Sequence, residues 1–330
     1  MKHLLCTKTG HVEIAEVAKP VAGTGELLVR MAACGICGTD LMKVYDPSTP
    51  KPVQLGHEIV GTVVGTGKRV GVAHHAPDVA SHYTQRGSAT QDPQFKASNI
   101  SPGGFAEFIR VPADLVPHTV IAIPDHVPDM RAVFMEPLAC CLRALERVPV
   151  QAGDTVAVVG VGAIGLLFVP LMKHAGAQVV ASDVREDRLL LARQWGAAET
   201  SLASSGDLPA RAKALSNNRG ADVVILTTTN AATLRLALDT VRDGGTIIPF
   251  GVKPGPDIAF DFWQIYRREI SVVSSYSATP RGLARAMELL SGQGFALESL
   301  ISHQFTLDDA GQGFELLHDA KASKVVVLGR

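Results

Sequence analysis

An excess of charge of either sign is missing from this chain of 330 residues: 31 Lys and Arg face 32 Asp and Glu, a formal net charge of −1. Nothing in that balance argues for a polyanionic partner such as nucleic acid. Cysteine is scarce, with five in all: Cys6, Cys34, Cys37, Cys140 and Cys141. An odd count without a secretory leader argues against a disulfide framework. The opening Met1-Lys2-His3-Leu4-Leu5-Cys6-Thr7-Lys8 turns polar too soon for a signal peptide, so a reducing cytoplasm is expected. Repeats and low-complexity tracts are absent as well. The nearest thing to a membrane span is the uncharged run Val156–Met172. Three glycines, Gly160, Gly162 and Gly165, split it, and Lys173-His174 follows. It reads as a buried strand, a glycine turn and a buried helix, and no membrane association is expected.

What is present is ample apolar material, 46% of residues, and 31 glycines for tight turns. The length suggests two domains. From Val12 to Val111 short β-like runs (His11–Val17, Glu26–Ala33, Ile59–Gly65, Phe105–Val111) alternate with Gly and Pro, the pattern of an irregular β-rich domain. From about Gly153 the rhythm changes. Strands at Thr155–Val159, Gln178–Ser182, Asp222–Leu226 and Gly245–Phe250 alternate with helices at Ala163–Ala175, Arg185–Trp195 and Ala231–Arg242. Apolar strands alternating with helices predict an α/β, doubly wound parallel sheet of the Rossmann kind. Ile270–Ser275 and Val325–Leu328 are further strands, and Leu283–Leu290 a further helix.

Gly160-Val161-Gly162-Ala163-Ile164-Gly165 follows one of those strands and opens a helix, and Asp183 closes the next strand. The first glycine permits the tight turn, the second lets backbone approach a pyrophosphate, and the third allows close helix–sheet packing. The helix N-terminus offers unpaired N–H groups and partial positive charge to phosphates. Asp183 can accept from an adenosine ribose and would repel a 2′-phosphate, which favours NAD over NADP. Arg185 and Arg188, just beyond, soften that preference.

Three pieces carry zinc-ligand types: Gly35-Ile36-Cys37-Gly38-Thr39-Asp40, Gly56-His57-Glu58 and Glu136-Pro137-Leu138-Ala139. Three protein ligands and one open position mark a catalytic zinc site. With the CGTD run Cys37–Asp40, the GHE run Gly56–Glu58, the GGFAE run Gly103–Glu107, EPLA at Glu136–Ala139 and the glycine turn, the chain resembles the medium-chain, zinc-dependent dehydrogenases, specifically the polyol and threonine dehydrogenase branch. The resemblance covers nearly the whole chain and implies a GroES-like catalytic domain (1–137 and 278–330) around a Rossmann domain (138–277). It further implies that Cys37 and His57 ligate zinc, together with Glu58, Glu136 or both. Asp40 would accept the second ring N–H of His57. Lys324 matches a basic position that pairs with the Glu of GHE, although a solvated surface charge is an equal reading. The implied reaction is hydride transfer from a secondary alcohol (a polyol, sugar alcohol or amino alcohol) to NAD, with Thr39 taking the hydroxyl proton. A His that ends the relay in relatives is Met42 here. A homodimer or homotetramer is expected on the same ground, with Ile270–Ser275 as a pairing edge.

One departure stands out. Many relatives carry a second, structural zinc in a lobe spaced Cys-x2-Cys-x2-Cys-x7-Cys; the corresponding residues here are Asp78, Ser81, Thr84 and Asp92. Ser and Thr are not among the usual zinc ligands, so a four-cysteine site is excluded. The segment 74–104 is expected to be a loose loop, with His74, His75, Asp78, His82 and Asp92 lacking clear ligand spacing. Cys34 and Cys37 spell CxxC outside any thioredoxin-like setting, and Cys34, Cys140 and Cys141 read as packing. The alternatives are a zinc-free NADPH reductase on the same two domains and a non-catalytic dinucleotide-binding protein.

Overall fold

Strand Thr155–Val159 is buried at every position, and Gln178–Asp183 at all but its first. Such strands need cover on both faces, which is what helices on either side of a parallel sheet provide. In the computed structural model, which describes residues 1–255, 257–292, 294–295 and 297–329, they lie centrally in a six-stranded sheet. Its order is Glu199–Leu202, Gln178–Asp183, Thr155–Val159, Ala221–Leu226, Val241–Pro249 and Ser271–Val272, with every pairing parallel. Chain order reverses at Thr155–Val159, the doubly wound arrangement in which ligands bind beyond the strands' C-terminal ends. Helix Ala163–His174 is buried from Gly165 to Met172, so the run that resembled a membrane span is a strand and a packed helix. No helix among the described residues is long and apolar enough to cross a membrane.

This sheet belongs to the second of two compact units, Cys140–Ser277; the first is Met1–Ala139 with Ala278–Arg330. The first unit is built on a sheet ordered Ile301–Thr306, Lys324–Leu328, Leu27–Gly35, Glu58–Val63, Arg69–Val72 and Val120–Ala122. Phe108–Val111 also pairs with Leu27–Gly35, and Lys2–Lys8 and His11–Glu16 form a separate hairpin. Phe105, Ile109, Val111, Leu115, Val325 and Val327 are fully buried in its core. Complete burial of a Val, Leu, Ile or Phe side chain contributes roughly 1.5–3 kcal/mol.

The expected loose loop is instead folded. Three short helices, His82–Gln85, Ala89–Gln91 and Pro93–Ala97, occupy it. The four residues at the cysteine positions share one hydrogen-bonded network. Asp92, 3% exposed, accepts at Oδ1 from the backbone N–H of Asp78 (3.1 Å), Gln94 (2.9 Å) and Phe95 (3.3 Å), and so caps the third helix. Thr84 Oγ1 donates to the Asp78 carbonyl (2.8 Å), and Ser81 Oγ donates to Thr84 Oγ1 (3.2 Å). Phe95, 2% exposed, anchors the lobe. Replacing Asp92 with Ala is expected to cost about 1–2 kcal/mol locally, as loss of a cap does. Hydrogen exchange across 78–98 should then speed up by about tenfold; unchanged exchange would show that Asp92 does not hold the lobe.

Candidate active site

Helix Gly38–Tyr45 starts where Cys37 adopts extended backbone and the N3 carboxylate of Asp40 turns back to accept from Cys37 N (3.0 Å). The same carboxylate, 0% exposed, accepts from Gly56 N (2.9 Å) and lies 3.6 Å from His57 Nδ1. One buried acid thus joins the Cys37 loop to the Gly56-His57 turn and orients the imidazole, the arrangement that fixes a ligand's tautomer. Burial disfavours the Asp40 carboxylate, but His57 and the N–H groups of Gly56 and Cys37 outweigh it and hold its pKa below the ordinary value.

The ligand atoms of Cys37, His57 and Glu58 all lie within 4.8 Å of one another; no other such cluster of three or more His, Cys, Asp or Glu occurs among the described residues. Glu136 is buried in the first turn of helix Met135–Arg147 and stands outside this cluster. Glu58 pairs with Lys324, whose ammonium also donates to the Ile36 carbonyl (3.2 Å). Lys324 is 4% exposed, so it is no solvated charge. Burial opposes its ionisation, but Glu58, Cys37 and Asp40 raise its pKa. Gly35 lies opposite Glu58 across the strands and makes room for the pair: a Cβ there would sit 2.0 Å from Glu58 Oε2 and 2.9 Å from Lys324 Nζ. Thr39 is exposed beside Cys37, with its hydroxyl 3.8 Å from the thiol sulfur.

A thiol, an imidazole and a carboxylate gathered this closely make a donor set that fits zinc. The field fits too. Burial lowers the proton affinity of His57, yet Asp40 and Cys37 overcome this and raise its pKa well above the ordinary value. A metal bound by this ring would take the place of that proton.

His74, weighed from sequence only as a member of a polar lobe, stands at this cluster. Its ring centroid is 4.9 Å from that of His57 and 3.7 Å from that of His75. His75 hydrogen-bonds through Nδ1 to the Ser98 carbonyl and packs on Phe95 at 5.2 Å. Burial, then the neighbouring His57, holds the His74 pKa well below the ordinary value; burial takes His75 to about 4. The five lobe residues His74, His75, Asp78, His82 and Asp92 form no metal cluster of their own.

In the second unit the glycine turn has the shape a pyrophosphate site needs. Gly160 has φ +88°, and a Cβ on Gly165 would come within 2.0 Å of the Gly160 carbonyl oxygen. Gly162 caps the helix that Ala163 and Ile164 begin; a Cβ there would meet only Arg188 Nη1, at 3.7 Å. Asp183 accepts from Val161 N (2.8 Å) and Arg185 N (3.0 Å), with Arg188 Nη1 3.8 Å from its carboxylate. Thr227 was not anticipated from sequence: its hydroxyl donates to the Gly160 carbonyl (2.7 Å) and braces the turn from just beyond the end of the neighbouring strand Ala221–Leu226.

Residues 23–125 match the alcohol dehydrogenase GroES-like domain, and residues 163–292 the zinc-binding dehydrogenase family. A Sinorhizobium meliloti 1021 protein solved with NADP, provisionally named a zinc-binding dehydrogenase, is 32% identical with a TM-score of 0.88, covering 99% of this chain and 98% of that one. The chain belongs to the medium-chain, zinc-dependent alcohol dehydrogenases. Within this family it is 28% identical to a sorbitol dehydrogenase of Halalkalibacterium halodurans over 99% of both chains. It is 29% identical to an L-threonine 3-dehydrogenase of Anaeromyxobacter dehalogenans, over 94% of this chain and 93% of that one. This dehydrogenase is accordingly an oxidoreductase of the polyol and threonine branch, acting on alcohol donors.

Removing one partner of a buried ion pair leaves the other charge uncompensated, at a cost of about 3–5 kcal/mol. Lys324→Met is therefore expected to lower the thermal midpoint, and Glu58→Gln in the same chain to recover most of the loss. A Lys324→Met protein as stable as wild type would mean the pair does not bear on the fold.

Proposed function

We propose that this dehydrogenase oxidises the secondary alcohol of a polyol-type substrate to the ketone, with NAD as hydride acceptor and one zinc. The observation that carries this reading is the convergence of Cys37, His57 and Glu58 within 4.8 Å beside Thr39. Cys37 and His57 hold the metal with a carboxylate from Glu58 or Glu136; because Lys324 shares Glu58, Glu136 is retained as the alternative ligand. Zinc bound there supplies Lewis acidity, of the kind that lowers the pKa of water from 15.7 to about 7. Asp40 keeps the His57 ring in one orientation and tautomer. Thr39 accepts the substrate's hydroxyl proton, which then leaves by another group or by water, since Met42 has nothing to titrate.

The Gly160–Gly165 turn and the N-terminus of helix Ala163–His174 hold the cofactor's pyrophosphate. Asp183, fixed by two backbone donors, receives the adenosine ribose hydroxyls and disfavours a 2′-phosphate. Arg188 lies beside it and Arg185 is engaged with Asp187 at 2.6 Å, so NAD is preferred over NADP. The protein works in the cytoplasm as a homodimer or homotetramer. Support for self-association comes from the second unit, where Phe262, Trp263 and Tyr266 are 75%, 66% and 77% exposed. They lie on the helix just before edge strand Ser271–Val272, and an exposed edge invites pairing with a second copy.

Elemental analysis should find one zinc per chain in the wild type and none in Cys37→Ser. Thr39→Ala should keep the metal while losing turnover, and polyol oxidation should be faster with NAD than with NADP. Protein supplied with zinc yet binding none would sink the proposal, and two zincs per chain would mean that the lobe had found ligands. Sedimentation equilibrium should return a dimer or tetramer, and Trp263→Glu should shift it toward monomer; a wild-type monomer would refute the oligomer.

A further inference from the structure

The six-stranded sheet ends on Glu199–Leu202, an edge strand with a neighbour on one side only among the described residues. A cavity of about 380 Å³ opens over that edge, between the strand, helix Glu186–Gln194 and helix Leu208–Leu215. It lies wholly in the second unit, whereas Cys37, His57 and Glu58 belong to the first. No residue of the Gly160–Gly165 turn lines it, and neither does Asp183 or Arg188. Its volume falls within the range of small-molecule sites.

Two of the charged groups lining this cavity already have partners. Asp207 accepts from Ser201 Oγ (2.6 Å), Ser205 Oγ (2.6 Å) and Arg211 Nε (2.7 Å), and these donors hold its carboxyl down at about 2. Arg211 also donates from Nη1 to Glu199 (2.9 Å). Arg193 differs. Its Nε donates to Thr200 Oγ1 (2.8 Å), on a residue only 3% exposed. It forms no ion pair among the described residues, which leaves the donors of Nη1 and Nη2 open. Leu189 and Leu190 lie on the same helix between Arg193 and Glu186, two turns earlier, and Leu202 lines the cavity from the strand. Leu190 is 57% exposed.

We propose that this cavity binds a small monocarboxylic acid with an aliphatic tail, its carboxylate on Arg193 and its chain against Leu189, Leu190 and Leu202. With Nε committed to Thr200, the guanidinium presents its Nη1–Nη2 edge, a planar fork that matches the two oxygens of a carboxylate. One unpaired guanidinium calls for one negative charge. Glu186 lines the same cavity without an ion pair among the described residues, and its charge opposes a second anionic charge. A phosphate monoester is therefore the poorer ligand. An aliphatic chain laid on the leucines removes their apolar surface from water. This assignment is independent of which alcohol is oxidised at the metal cluster.

The test is isothermal titration of the zinc-loaded protein, with NAD present so that the cofactor's own site is filled. The probes are hexanoate, butyrate, hexanamide and butyl phosphate, on wild type, Arg193→Gln and Arg193→Lys. Hexanoate should bind saturably and about fifteenfold more tightly than butyrate, which is two methylenes shorter. It should also exceed hexanamide by about tenfold, as a charge-assisted contact does a neutral one. Arg193→Gln should weaken hexanoate by about tenfold, and Arg193→Lys, which keeps the charge without the fork, should fall between. An acid captured by the metal would ignore Arg193, so equal affinity in wild type and Arg193→Gln overturns the inference. So does a lack of saturable binding, or butyrate, hexanamide or butyl phosphate binding as tightly as hexanoate. If Arg193→Gln has a lowered thermal midpoint, Leu190→Ser decides: hexanoate should there lose much of its advantage over butyrate, and an undiminished advantage refutes the site.

Discussion

Lys324 and Glu58 form a buried ion pair on which the first unit is organised. Their side chains are 5% and 1% exposed, and charges removed from water to that extent are costly unless each finds its partner. Three strands must meet for that to happen: Glu58 begins one, Lys324 begins another, and Leu27–Gly35 runs between them. The middle strand ends on Gly35 because any side chain there would occupy the space of the two charged groups. The loop leaving that strand carries Ile36, whose carbonyl accepts from the same ammonium, and then Cys37. The position of the thiol is thus a consequence of how the carboxylate is neutralised.

Asp40 repeats the logic on a smaller scale. It is wholly buried, its donors are the backbone of the Cys37 loop and the backbone of Gly56, and the ring of His57 lies 3.6 Å away. Neither acid's role depends on a long stretch of structure. Each gathers groups that are distant in sequence by demanding compensation for a buried charge.

Much of this was legible in the sequence, for a physical reason. The glycine turn and its acid, the Cys-x2-Asp pair and Gly-His-Glu are local patterns, each fixed by the geometry of one turn or one helix start. Strand and helix positions were legible wherever periodicity or complete burial dominates, as at Thr155–Val159 and Ala163–His174. The readings fall short where a tertiary partner decides. Strand Val241–Pro249 begins four residues ahead of the expected Gly245, taking over Val241 and Arg242 from the end of the expected helix Ala231–Arg242; Arg242 is held there by Asp222 at 2.5 Å. Ser271–Val272 is shorter than the expected strand, lying at an edge with a single neighbour. Lys324 could equally have been a surface charge, since its partner is 266 positions away. The lobe looked loose because four missing thiols signal an absence. That Asp92, Thr84 and Ser81 would bond one another is a matter of three-dimensional placement.

The separation of Lys324 from Glu58 also bears on how the protein comes into being. During synthesis the whole of Cys140–Ser277 leaves the ribosome between the two halves of the first unit. Domains generally fold as units as they emerge, so the six-stranded parallel sheet can complete itself while the first unit waits. Until the strand beginning at Lys324 arrives, Glu58 has no cation to accompany it out of water, and Leu27–Gly35 has an open edge on that side. The nascent first unit is therefore the vulnerable part of the chain. Its buried carboxylate stays without its cation until the strand beginning at Lys324 has been made.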